Sequence, residues 1–212
     1  VEGVIDLTRQ SYDDELKSLH HDLLRMGGIV EKQINDCISA LVKQDSSLAE
    51  EIIKNDNLVD TMENDIEEKC VKLIARQQPL ATDLRRIFAT IKLVTDLERI
   101  ADYAVDISRI TLQLKDDRYI KPLIDIPKMG EIVQLMIKGA IDAYVDLDVK
   151  AAEEICSMDD QVDILNRQVF RDLLDIMKRD PETIPQSTQF LFISKFLERS
   201  SFIFLSAQIY HS

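Results

Sequence analysis

The feature that most constrains this chain is an internal repeat. Ala49-Glu50-Glu51-Ile52 returns as Ala152-Glu153-Glu154-Ile155, an offset of 103 residues. At that offset Asp56 meets Asp159, Val59 meets Val162 and Asp60 meets Asp163. Further on the offset is 100, and Leu97-Glu98-Arg99 returns as Leu197-Glu198-Arg199. A shorter connection in the second copy absorbs the change. Several matches in one order mark a duplicated unit, so each copy must carry the same set of elements.

Those elements read as helices. Over residues 12–42 the apolar positions Leu16, Leu19, Leu23, Met26, Val30, Ile34, Ile38 and Leu41 recur in steps of three and four, the period of one helical face. Ser11 followed by Glu15 resembles a capping start. A second helix is expected over 46–78, with Asp45 and Ser46 as N-cap chemistry, and a third over 80–114. Lys115-Asp116-Asp117-Arg118 with Pro122 and Pro127 then reads as a linker. The pattern restarts with helices over 128–146 and 149–178 and a last one from Gln186 onward. Only 5 Gly and 5 Pro occur, too few turn formers for a sheet of many short strands. The expected fold is all-α, with six long helices as two tandem three-helix bundles. Its parts are a lead-in at 1–11, a first repeat at 12–118 and a second at 119–212 with a divergent end. Gly27 and Gly28 fall mid-helix, where each costs about 1 kcal/mol relative to Ala, and so predict a close helix crossing.

Charge narrows the function. The net charge of −13 repels phosphate backbones and no Lys/Arg run offsets it, which argues against nucleic acid and for cations or a basic protein surface. No stretch has the roughly 18 apolar residues of a membrane span, so any membrane association is peripheral. The first residues show no signal-peptide pattern. Cys37, Cys70 and Cys156 are odd in number, form no CxxC pair and lie on apolar stripes. They read as small buried hydrophobes in a reducing cytoplasm.

The chemistry-bearing residues are carboxylates. Glu98, Asp102 and Asp106 are spaced by four, which sets them on one face about 6 Å apart along the axis. Asp56 and Asp60 form another four-spaced pair, repeated as Asp159 and Asp163. Like charges at that spacing repel, and a cation between two such ladders offsets the repulsion. Oxygen ligands suit Mg²⁺, Mn²⁺ or iron. The bland alternative is that the acids are a solvated face of an acidic chain. Arg99 and Arg199 read as ion-pair partners, and His20 and His21 as ordinary histidines. No nucleophilic triad and no Gly-rich phosphate loop occurs.

Four segments carry a resemblance: Met26-Gly27-Gly28, PLATDLRR at 79–86, Leu-Glu-Arg-Ile-Ala-Asp at 97–102 and DPETIPQSTQFLFISKFLER at 180–199. With them the sequence resembles the PhoU family of phosphate-uptake regulators. That resemblance implies six helices in two bundles and a cytoplasmic, often dimeric, non-enzymatic protein. Such a protein acts with the phosphate ABC transporter and its sensor histidine kinase, restraining uptake and damping the starvation response. The resemblance also implies multinuclear iron or another metal at E(D)xxxD motifs, one site per repeat. Glu98 and Asp102 match the first motif, with Asp106 one turn on and Asp56 and Asp60 facing it. Asp159, Asp163 and Glu198 match the second. There Phe202 stands where the motif needs its Asp, and the segment after Arg199 departs from the family pattern. The second site is therefore expected to be altered, with Phe202, Phe204 and Leu205 available to a dimer contact. Two alternatives remain at this stage: a metal-free helical adaptor, and a di-metal carboxylate oxidase. The second would use Glu-x-x-His motifs that the chain lacks.

Overall fold

The structure is a computed structural model that describes residues 2–77 and 79–202. It is all-α, with no strand among the described residues. The helices are α1 (Glu2–Lys43), α2 (Ser46–Lys54), α3 (Asn57–Gln77), α4 (Ala81–Gln113), α5 (Asp125–Asp146), α6 (Val149–Ser157), α7 (Asp159–Arg179) and α8 (Ile184–Phe202). A 3-10 turn, Pro181–Thr183, leads into α8. The six rods expected from the sequence are present, and the second rod of each copy is broken. Asn55 and Asp56 interrupt the first copy and Met158 the second, at matching places. Periodicity misses these breaks because the apolar stripe runs on through Ile52, Val59, Val162 and Val169.

The ends of the rods repeat as well. α1 closes on Gln44 at φ 53° and α5 on Leu147 at φ 56°, both left-handed. The next residue is an N-cap in each copy. Asp45 accepts from the Leu48 N–H, and Asp148 accepts from those of Lys150 and Ala151. Gln44 also donates to the carbonyls of Leu114 and Asp117, both at 2.8 Å, which ties the end of α1 to the end of α4. At the other end of α1 the helix starts at Glu2, so Ser11 lies within the helix and not at its start. No proline in residues 2–11 halts the helix there.

The copies share one continuous core, joined where α1 crosses α5. A Cβ on Gly27 would fall 1.9 Å from Ile141 Cδ1, and one on Gly130 would fall 2.8 Å from Ile38 Cγ1. Gly130 and Ile141 are the repeat counterparts of Gly27 and Ile38, at the same offset of 103. The crossing is therefore made twice by the same pair of residues, an approximate two-fold relation between the copies. α4 and α8 also meet, with Tyr103 stacked on Phe196 at 5.4 Å between centroids. Leu23, Met26, Ile34, Leu97, Ile100, Met129 and Phe190 have almost no exposure. Each such side chain contributes about 1.5–3 kcal/mol of burial.

The expectation of a close crossing holds for Gly27 and fails for Gly28, around which a Cβ would meet nothing within 4 Å. Gly28→Ala therefore gains helix propensity without a clash. It is expected to raise unfolding stability by about 1 kcal/mol in a denaturant titration.

Candidate metal centre

Asp56 sits in the break before α3, and Asp60 follows one turn into that helix. Glu98, Asp102 and Asp106 stand along the facing side of α4. One carboxylate oxygen from each of Asp56, Asp60 and Asp102 lies within 4.8 Å of the other two. Among the described residues no other trio of His, Cys, Asp or Glu meets that geometry. Asp56 and Asp60 are half-buried and Asp102 is exposed, so the trio opens to solvent on one side.

The electrostatics show the strain of this arrangement. Burial pushes the Asp56 carboxyl up, as do the Asp60 and Asp106 charges, while Arg109 opposes them. Burial raises Asp102 too, with Asp56, Asp60 and Asp106 adding to it. Glu98 is pushed up to about 7 by burial, then by Asp102, Glu63 and Asp60. Glu63, raised by burial and by Glu67 and Asp60, is a member of this cluster that the sequence reading missed. Its signal was present, since Asp56, Asp60 and Glu63 fall at i, i+4 and i+7 on one helical face. Two cations oppose these rises: Arg109, with nitrogens 2.8 Å from Asp106 and 3.9 Å from Asp56, and Arg99, which acts on Glu63 and Glu98. Arg99 is engaged as expected, 3.8 Å from buried Asp96.

A carboxyl whose folded pKa lies above its unfolded value binds more protons in the folded chain. Its contribution to stability is full below the ordinary Glu value of 4.5 and is lost as pH rises through about 7. Metal-free protein is therefore expected to lose stability between pH 5 and 8 more steeply than Glu98→Gln. Denaturant titrations across that range check this, and carboxyl ¹³C shifts place the Glu98 midpoint.

The second copy differs. Asp159 opens α7, and Ser201 donates to its Oδ1 at 2.6 Å. Asp163 lies 3.8 Å from Arg167, and Glu198 lies 2.6 Å from Lys195. Burial still raises Asp159, with Ser201 opposing and Asp163 and Glu198 assisting. At the repeat positions of Arg167 and Lys195 the first copy has Asn64 and Thr95, which carry no charge. Asp163 and Glu198 are thus each paired with a cation of the chain itself, while Asp159 has the Ser201 hydroxyl. They fit a metal poorly, whereas the Asp56, Asp60 and Asp102 oxygens fit one. Phe202 ends α8, and its side chain, with Phe204 and Leu205, lies outside the described residues. Cys37 and Cys70 are buried as expected, and Cys156 is half-buried. His20 packs edge-on against Tyr144 at 5.5 Å, away from the carboxylates.

Comparison with known proteins settles the family. Residues 23–111 and 126–201 match the family model of the PhoU domain. The chain belongs to the PhoU family. It is 48% identical over 194 residues to the phosphate-specific transport system accessory protein PhoU homolog of Clostridium acetobutylicum, covering 91% of this chain and 89% of that one. It is 40% identical to the PhoU homolog of Caulobacter vibrioides over 91% of this chain and 84% of that one. The crystal structure of PhoU from Pseudomonas aeruginosa superposes with a TM-score of 0.90 at 34% identity, covering 94% and 96% of the two chains. That of the phosphate transport system regulatory protein PhoU from Streptococcus pneumoniae gives 0.87 at 28% identity, with 94% of each chain covered. The two matched segments follow the two copies. These PhoU proteins are described as accessory or regulatory, and none as an enzyme. No helix among the described residues is long and apolar enough to cross a membrane.

Proposed function

We propose that this chain is a non-enzymatic regulator of phosphate uptake, working beside a phosphate transporter of the ABC type and its sensor histidine kinase. In that role it acts in the cytoplasm as a homodimer, restrains uptake when phosphate is ample and damps the starvation response. Membership of a family of phosphate transport accessory proteins supports the role. The convergence of Asp56, Asp60 and Asp102 carries the metal part of the reading. These three hold a di- or trivalent ion, iron, Mn²⁺ or Mg²⁺, with Glu98 and Asp106 at its edges. The ion supplies positive charge, relieves the repulsion among the carboxylates and ties α3 to α4. The surface those helices present is thereby fixed. Asp159, Asp163 and Glu198 hold no ion in this reading.

A second reading, a metal-free adaptor, has one observation in its favour: Arg109 already places a cation between Asp56 and Asp106. A starvation-responsive reporter separates the two in cells that lack the chain and grow in ample phosphate. Wild type and Asp163→Asn are expected to silence the reporter, and the Asp60→Asn/Asp102→Asn pair to leave it on. Full silencing by the pair supports the adaptor. A reporter indifferent to the wild-type chain would remove the regulatory role.

A further inference from the structure

The duplicated unit gives an internal control for what each face is for. On the outer face of α7 and α8 a groove of about 850 Å³ runs between the helices. Its floor is Ile164, Phe170, Leu191 and Phe192. Three of these are large exposed side chains: Ile164 at 57%, Phe170 at 53% and Phe192 at 51%. Apolar groups held in water at that density are unfavourable unless something covers them.

The same positions in the first copy have other chemistry. Phe170 stands where the first copy has Glu67, Phe192 where it has Lys92, and Phe196 where it has Asp96. In the first copy Lys92 and Asp96 form an ion pair one turn apart, at 2.5 Å. In the second, Phe192 and Phe196 stack across that turn, with centroids 6.4 Å apart. A charged face has been exchanged as a set for an aromatic one. The rim turns positive too, by one reversal and one added charge. Glu68 of the first copy is Arg171 in the second, and Asn64 is Arg167. Arg167, Arg171 and Lys195 all line the groove, and no acidic residue does. Arg167 and Lys195 share their charge with Asp163 and Glu198 at one end. Arg171 donates to Gln168, a neutral partner, and its charge also acts on the neighbouring Asp172.

We infer that the α7–α8 groove docks an amphipathic segment of a partner protein whose apolar stripe covers Phe170 and Phe192 and whose acidic edge meets the Arg171 side. An exposed aromatic floor with an arginine at its rim is the composition from which binding hot spots are made. A concave channel between two helices accepts an apolar helical stripe at i, i+3, i+4 and i+7. The cationic rim selects acidic flanks, against the net charge of −13 of the chain itself. Residues 203–212 contain no Asp or Glu, so that segment does not supply the complementary charge. The inference is independent of the metal reading, since the groove uses none of Asp56, Asp60 and Asp102.

The test pans a phage-displayed library of helical peptides on the intact protein and measures the enriched peptides by fluorescence anisotropy. Phe192→Ser removes floor and Arg171→Glu reverses rim charge. Both positions are exposed, and circular dichroism with a melting curve confirms that each variant folds. The expected result is enrichment of peptides with an apolar stripe and acidic flanks, each weakened roughly tenfold or more by either substitution. The inference is overturned if the enriched peptides are neutral or basic, if their binding ignores both substitutions, or if no peptide is enriched. It is also overturned if Phe192→Ser instead abolishes binding to phosphatidylglycerol vesicles, or dissociates a dimer in sedimentation velocity. Those outcomes would give the groove to a lipid surface or to a second copy of the chain.

Discussion

Asp60→Asn combined with Asp102→Asn is expected to weaken Mn²⁺ or ferric binding by at least about a hundredfold, roughly 2.7 kcal/mol, while raising the stability of the metal-free protein. The two effects have one cause. Asp56, Asp60 and Asp102 bring three carboxylate oxygens within 4.8 Å of one another, and burial and mutual repulsion hold Asp56 and Asp102 above the ordinary carboxylate range. An ion converts that repulsion into attraction, whereas Asn at both positions removes most of it and leaves the ion only Asp56 of the three anionic ligands. Because Asp102 is exposed, solvent screens the repulsion and the gain without metal is small. It amounts to a few tenths to about 1 kcal/mol, or up to about 4 °C in Tm for a chain of this size. Asp163→Asn is the control, since its carboxylate faces Arg167. It should change metal affinity by less than about twofold. Isothermal titration against chelator-stripped protein, with melting curves on the same samples, reads both effects.

Phe190→Ala is expected to be the most damaging single core change, at about 3–5 kcal/mol. Its ring is fully buried in α8 and meets Tyr119 edge-on at 5.3 Å. The Tyr119 hydroxyl in turn donates to the Leu41 carbonyl at 2.6 Å, at the end of α1. One ring thus anchors the connection between the copies to both of them. Its loss leaves a cavity and loosens Tyr119, for a fall in Tm of roughly ten degrees. Calorimetry checks the size of that fall. The acidic centre on α3 and α4 does not touch this ring, so metal affinity per folded molecule should be unchanged.

The repeat and the helical class were legible because they rest on period and spacing. The apolar steps of three and four through Leu16 to Leu41 mark residues that are indeed buried. Four-residue spacing put Asp56 with Asp60 and Glu98 with Asp102, and the fold brings members of both pairs together. The breaks at Asn55–Asp56 and Met158 were illegible, because a buried stripe continues across each. Gly27 and Gly28 were indistinguishable in sequence, because only the approach of Ile141 separates them. Glu63 was overlooked although its spacing qualified it. The second copy was read through Phe202, a missing ligand. Its clearer difference is gained cations, Arg167 and Lys195, and these acquire meaning only once their distances to Asp163 and Glu198 are known. The exchange of Lys92 and Asp96 for Phe192 and Phe196 was written in the sequence throughout. It becomes visible when the two copies are compared face by face.

The two copies are expected to differ, with a metal centre in the first and cation-paired carboxylates in the second. Anomalous diffraction from crystals grown with Mn²⁺ or ferric iron, collected on both sides of the metal edge, tests this directly. A peak is expected between Asp56, Asp60 and Asp102 and none between Asp159, Asp163 and Glu198. Peaks of equal height in both copies, or a peak in the second alone, would contradict it.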